Sequence, residues 1–183
     1  MPKTKNVTAG KPKISGAIFC APIGTALPTA IDAELDTAFI EMGYCSADGV
    51  TLQTSRTSSN YKAWGGEIVL AQQTEYADTA KFTLIETLDI NVQKVIHGDS
   101  NVTGTLDTGV TVKENSKDLD ERCWVIDTLL RGAARRIVIA KGKITEIGET
   151  KYVDSDIVSH PITITAMPDD DGNTHYEYTK KTN

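Results

Sequence analysis

The chain has 183 residues, a formal net charge of −6 and a pI of about 5.1, enough for one domain that buries roughly 70% of its unfolded surface. Lysines and arginines are scattered rather than gathered on one segment beyond the N-terminus, which excludes duplex binding through a concentrated basic face. No apolar run of about 18 residues occurs, and the charged N-terminus lacks the apolar stretch of an export signal, so the chain reads as soluble.

Residues 1–16 carry Lys3, Lys5, Lys11 and Lys13 with no acid, and read either as a disordered end or as an arm that orders against a neighbouring subunit. The remaining residues, 17–183, read as one domain. Residues 17–22 are expected to form the first strand. A short helix is expected from Asp32, since Leu35, Phe39 and Met42 share a helical face, Asp32 can cap it and Gly43 can close it. Residues 46–66 form a polar stretch rich in serine and threonine, much longer than the roughly 2 to 5 residues a hairpin loop needs, and are expected to be a long inter-strand loop.

Residues 67–86 contain two β-rich runs flanking Tyr76-Ala-Asp-Thr79, and in the second Phe82 and Leu84 share a face opposite Thr83. The main helix follows: Thr87 is the expected N-cap, Leu88, Val92 and Val95 the apolar face, Asp89 a partner for the positive helix end, and Gly98 the C-cap. From Val102 the pattern returns to β, punctuated at Gly109, Gly132, Gly142 and Asp154 to Asp156. Residues 135–140 and 157–166 are the clearest strands, and residues 169–183 read as a turn and a short edge strand. The fold class is therefore mainly β, an antiparallel sandwich or barrel with one flanking helix, a long inter-strand loop and terminal arms.

Catalytic and metal chemistry find no support. His97-Gly-Asp-Ser100 holds hydrolase residue types, but a triad converges from separate segments. Asp169-Asp-Asp-Gly172 fails the calcium-loop register, because position 178 is Tyr where a glutamate is needed. His97, His160 and His175 are far apart in sequence, Gly65-Gly66 lacks the Gly-Lys-Ser/Thr of a phosphate loop, and the Asn6 and Asn101 sequons mean little without secretion. Cys20, Cys45 and Cys123 read as free, small apolar residues in a reducing compartment. Trp64, beside two glycines in the polar stretch, is a candidate contact anchor, with Tyr61 and Arg56 near it. No enzyme, cofactor or metal is expected.

Several segments in order resemble the major tail tube protein of long-tailed, non-contractile bacteriophages: Lys62-Ala-Trp-Gly-Gly-Glu67, Phe82-Thr-Leu-Ile-Glu86, His97-Gly-Asp-Ser-Asn-Val-Thr-Gly104, Arg131-Gly with Arg136-Ile-Val-Ile139, and Ile164-Thr-Ala-Met-Pro-Asp169. The similarity runs over residues 11–178. It implies a fold shared with tube proteins of contractile tails and type VI secretion: six subunits join their sheets into a ring around a channel, and rings stack through a long loop and terminal arms. The implied partners are further copies of the chain, the tape measure protein inside the channel, the tail terminator, and distal tail or baseplate proteins. DNA passes without specific binding, and the subunit binds no membrane. The implied location is the virion tail, with the host cytoplasm during assembly.

On that basis residues 46–66 are expected to stack rings through Arg56, Asn60, Tyr61, Lys62 and Trp64, with residues 169–183 as a secondary contact. Glu67, Glu75, Glu146 and Glu149 are the candidates for the channel wall. A ring of six would carry six times −6, or −36, which favours transit of DNA over retention. The alternatives are a secretion-type tube ring or a tail-terminator-like ring and, in another class, a β-barrel that binds a small ligand.

Overall fold

The computed structural model describes Thr4, residues 7–13 and residues 17–182. Among the described residues eleven strands and one α-helix follow in order: β1 (Lys11–Pro12), β2 (Ile18–Pro22), β3 (Ile40–Glu41), β4 (Thr51–Lys62), β5 (Ile68–Leu84), α1 (Ile90–His97), β6 (Val102–Thr105), β7 (Gly109–Val112), β8 (Arg122–Leu130), β9 (Ala133–Ile147), β10 (His160–Ala166) and β11 (Tyr176–Lys181). Nine strands form one antiparallel sheet, seven of them in the order β3-β2-β8-β9-β10-β5-β4 with β1 added on β8 and β11 on β9, and β6 and β7 form a separate ribbon. The sheet forks, because β9 pairs with β11 along Ala133 to Val138 and with β10 along Gly142 to Ile147. On the other side of the fork β8 carries β1 and β2 in succession.

β9 thus belongs to two layers. One holds β2, β8 and the first half of β9. The other holds the second half of β9, β10 and the body end of β5. Their apolar faces share a core of Ile18, Cys20, Trp124, Ile126, Ile139, Phe82, Ile162 and Ile164, closed by Val92, Val95 and Ile96 of α1. Trp124 and Phe82 meet edge to face across it, ring centroids 6.0 Å apart. Gly142 lies where β9 changes partners, and a Cβ there would sit 2.8 Å from Trp124 and 2.9 Å from Ile164. It is therefore a packing glycine inside a strand, not the break its type suggested. The sheet does not close on itself, so the sandwich form of the expected fold holds and the barrel form does not.

Several local expectations change. No helix starts at Asp32: residues 23–39 are turns and irregular chain, and of the three apolar positions only Met42 is fully buried. The reason is non-local, since Arg136 Nη1 donates to the carbonyls of Ala30 (3.1 Å), just before the expected cap, and Ala33 (2.7 Å), which a helix would have used. Arg136 itself is buried against Asp127, with Nε to Oδ1 at 2.7 Å and Nη2 to Oδ2 at 2.8 Å. α1 starts later than expected. Asp89, not Thr87, caps it by accepting from the amides of Asn91 and Val92, and Leu88 is exposed. Gly98 ends it with φ 93°, a conformation that favours glycine, and donates its N–H to the Lys94 carbonyl.

The largest correction concerns residues 46–66. Most of this segment is β4, a twelve-residue strand, and its partner β5 is a single strand of seventeen residues with no turn at Tyr76 to Thr79. They form a long hairpin whose only non-strand residues at the tip are 63–67. Residues 7–13 of the N-terminal segment run beside their own sheet: Lys11 lies opposite Leu129, and the Thr8 hydroxyl accepts from the Arg131 amide at 2.7 Å. The expectations for Lys3, Lys5 and the Asn6 sequon fall outside the described residues.

Candidate assembly surface

Cross-strand registers define a four-stranded unit, β4-β5-β10-β9, by its rows. One row is Leu52, Ala80, Ile164 and Ile144; Phe82 and Ile162 belong to the next row on that face. All of these point into the core or pack against it. The alternate rows are Thr51, Lys81, Thr163 and Glu146, then Gln53, Thr79, Thr165 and Lys143, and they form the opposite face. Period-two alternation therefore gives one sheet an apolar side and a threonine-rich side. On the polar side Thr163 donates to Glu146 at 3.1 Å, and Thr145 meets Thr165 at 2.8 Å.

Beyond Thr79 the β4-β5 hairpin leaves β10 behind and continues with only its own two strands paired. Its base is anchored at Asp78, only 2% exposed, whose carboxylate accepts from Thr174 and is bonded to His175 Nδ1. Tyr76 reinforces this through its hydroxyl, 3.3 Å from that of Thr174. The expected C-terminal contact segment thus touches the hairpin of its own chain. Its Asp169 is a turn cap, accepting from the amides of Asp171 (3.0 Å) and Asn173 (2.9 Å) and from the Tyr176 hydroxyl, which together hold its carboxyl below the ordinary range.

The five residues expected at a ring-stacking contact all lie on this hairpin. Arg56 stacks over Tyr76 at 4.6 Å and donates to Gln73 at 2.9 Å, on the side continuous with the apolar face. Asn60 shares that side, whereas Tyr61 pairs with Leu70 on the other. Lys62 is the last residue of β4, and Trp64 is the foremost side chain of the tip, 107% exposed. Sequence reading missed its neighbours Ile68, Val69 and Leu70, which are 58%, 65% and 55% exposed. Apolar β-rich runs are more often buried than displayed, and only the length of the adjoining polar stretch hinted otherwise. With Tyr61 and Trp64 these three make an apolar tip that a lone soluble chain has no reason to display.

The four carboxylates separate. Glu146 lies in the polar rows, and Glu75, opposite Thr57, extends that face along the hairpin. Glu67 sits in the tip, where its carbonyl accepts from the Ala63 amide at 2.8 Å. Glu149 follows the end of β9 and faces Lys151 at 3.4 Å. The polar face therefore carries Lys81 and Lys143 against Glu75 and Glu146, balanced in sign.

His97 and His160, distant in sequence, come together with ring centroids 6.1 Å apart. His97 Nδ1 bonds Glu114 at 2.7 Å. The Gln93 amide nitrogen donates to the Thr87 carbonyl and also faces His160 Nε2 at 3.3 Å, so His160 accepts there and presents Nδ1–H to Thr150 at 3.1 Å. Burial, then the neighbouring His97, push the His160 pKa down. This is a neutral structural histidine with both nitrogens engaged. The cysteines are free, as expected, and burial pushes Cys20 up to about 12 and Cys45 up to about 11, which makes them poor nucleophiles. Among the described residues no group of three metal-ligating side chains occurs, and no helix is long and apolar enough to cross a membrane.

A two-faced sheet with a projecting apolar-tipped arm is equipment for building with copies of itself. No curated protein sequence matches the chain. The family model for phage tail tube protein matches residues 4–183, so the chain belongs to the phage tail tube protein family and is a structural, non-enzymatic component of the virion tail.

Proposed function

We propose that copies of this chain join into rings of six around a channel and that the rings stack into the tail tube. The observation that carries this reading is the β4-β5-β10-β9 unit: one face is sealed by the core, the other is polar, and the hairpin at its end extends past the body of the domain. A core-backed sheet with a hydroxyl-rich outer face suits the wall of an aqueous passage. Four strands from each of six copies, about 4.8 Å apart, give a circumference of about 115 Å and a diameter of about 37 Å between opposite backbones. Strand tilt widens this further, and side chains narrow it to a passage that takes a DNA duplex.

Glu75 and Glu146 are then the carboxylates that face the channel, Glu146 in the same row as Lys81 and one row from Lys143, and Glu75 six residues along β5 from Lys81. A wall of balanced sign and many hydroxyls offers a phosphate backbone no cationic track, so DNA slides rather than binds. Before ejection the same passage encloses the tape measure protein. The hairpin reaches the next ring, with Tyr61, Trp64 and Lys62 at its tip as the stacking contact and Arg56 and Asn60 along its shaft. The ends of the tube meet the tail terminator and the distal tail or baseplate proteins, and assembly takes place in the host cytoplasm.

Electron microscopy of the purified chain at high concentration tests the reading. Long hollow tubes with an axial repeat are expected. Isolated rings would favour a terminator-like role, and a monodisperse monomer would refute self-assembly.

A further inference from the structure

The β4-β5 hairpin leaves the sheet with one buried side chain at its point of departure. The β10 register ends with Thr165 opposite Thr79, and from there to Ile68 the hairpin pairs only with itself. Every residue of β5 from Ile68 to Ala77 is exposed, whereas Asp78, beside Thr79, is buried. Asp78 stands opposite Thr54, one row beyond Leu52 and Ala80 on the core-facing side, so an acid occupies the position where the apolar rows stop. A carboxylate with so little access to water needs donors from the protein. The Thr54 hydroxyl lies 3.5 Å from Oδ1, and the close partners of Oδ2 are the Thr174 hydroxyl and His175 Nδ1.

Thr174 and His175 precede β11, which pairs with the first half of β9 and so belongs to the layer that β4 and β5 do not enter. His175 is braced from that layer: its Nε2 is 3.7 Å from Glu177, and Glu177 is held by Arg135 of β9 at 3.1 Å. The turn ahead of Thr174 is fixed by Asp169, which accepts from the amides of Asp171 and Asn173. Past these contacts the hairpin shaft and the C-terminal segment part. A cleft of about 420 Å³ opens there, with Arg56 and Tyr76 on one wall and Gly172 to His175 on the other. The segment therefore grips the shaft at its root and leaves space beside it into which the shaft can swing.

We propose that Asp78, Thr174 and His175 form a clamp through which the C-terminal segment sets the direction of the hairpin against the body of the domain. Leverage gives the position its weight. Ile68 is ten residues along β5 from Asp78, about 33 Å at 3.3 Å per residue, so a turn of about 10° at the clamp displaces the tip by about 6 Å. That exceeds the roughly 4 to 4.5 Å within which apolar side chains touch. A two-stranded ribbon solvated on both faces has little of its own to resist such a turn. The three residues act on the tip by positioning it, and they do so within a single chain.

Pulsed electron–electron double resonance on the dilute chain tests the clamp. Spin labels are placed at Ser59→Cys on the outer shaft and Thr111→Cys on β7, both exposed positions, in a Cys45→Ala chain whose other two cysteines are buried. Ser59 pairs with Gln72, six residues from Asp78, so a swing of about 15° moves its label by about 5 Å. The parent chain is expected to give one narrow distance distribution. Thr174→Val with His175→Leu removes both donors, and Asp78→Leu removes the buried carboxylate without orphaning a charge. Each is expected to widen or shift the distribution by that amount or more, while hydrogen exchange in β8 and the first half of β9 stays protected. His175→Asn, whose amide nitrogen can take the place of Nδ1, should keep the distribution narrow. A narrow and unshifted distribution in the Asp78→Leu chain would overturn the proposal, by showing that strand pairing alone aims the hairpin, and this variant decides the case if the double variant does not fold. A parent distribution as broad as those of the variants would overturn it too. The measurement needs no assembly, so its failure leaves the tube reading intact, and monomer in the micrographs at high concentration would sink that reading without touching the clamp.

Discussion

Trp64 separates assembly from folding in one substitution. Its side chain is 107% exposed at the hairpin tip, so it contributes nothing to the stability of the isolated chain, and Trp64→Ala should leave the unfolding free energy unchanged within about 0.5 kcal/mol. A tryptophan that becomes buried in an interface removes about 150 to 250 Å² from water, worth up to about 4 to 6 kcal/mol at 25 cal/mol per Å². Losses on binding offset part of this, and truncation of an aromatic anchor typically costs about 2 to 4 kcal/mol. At about 1.4 kcal/mol per decade, the critical concentration for tube formation should rise roughly 30-fold to 1,000-fold. Sedimentation of tubes across a concentration series measures it, with urea unfolding of the dilute chain as the control. An unchanged critical concentration would show that the tip stays in solvent, and equal losses in folding and assembly would show that Trp64 packs within its own chain.

Arg136→Met leaves Asp127 buried without its bidentate partner and frees the carbonyls of Ala30 and Ala33; a loss of about 3 to 5 kcal/mol in urea unfolding is expected. Gly142→Ala forces a methyl against Trp124 and Ile164 and should cost about 1 to 3 kcal/mol, read in the same way. His160 has a lowered folded pKa, so the unfolded chain binds more protons between that value and about 6.5. Stability is therefore flat above about pH 6.5 and falls as the pH drops through the window below it. His160→Asn should remove that slope, as followed by thermal unfolding from pH 5 to 8.

What the sequence made legible depended on whether each element's two faces see different surroundings. In β10, Ile162 and Ile164 enter the core while Thr163 and Thr165 face out, and the alternation named the strand. β4 is solvated on both faces for most of its length, so nothing enforces alternation, and a strand of serine, threonine and asparagine looks like a loop. The Asp32 segment failed in the opposite sense: its helical spacing was present, but Arg136, more than 100 positions away, takes the Ala33 carbonyl the helix needed and fixes the chain before it at Ala30. The forked sheet, with β9 in both layers, had no local signature. That Trp64 stands out from the fold was legible, because a large aromatic beside two glycines in polar chain has no apolar run around it to bury it. Ile68 to Leu70 was not, because apolar β-rich runs are far more often buried than displayed.

The account rests on neighbouring copies completing the sheet that each chain leaves open, and amide hydrogen exchange compared between dilute chain and assembled tube tests this directly. The outward-facing amides of β4 and those on the side of Lys143 to Ile147 away from β10 should exchange freely in the monomer and become strongly protected in the tube, together with the tip around Trp64. Exchange in those segments that stays as fast in the tube as in the monomer would contradict it.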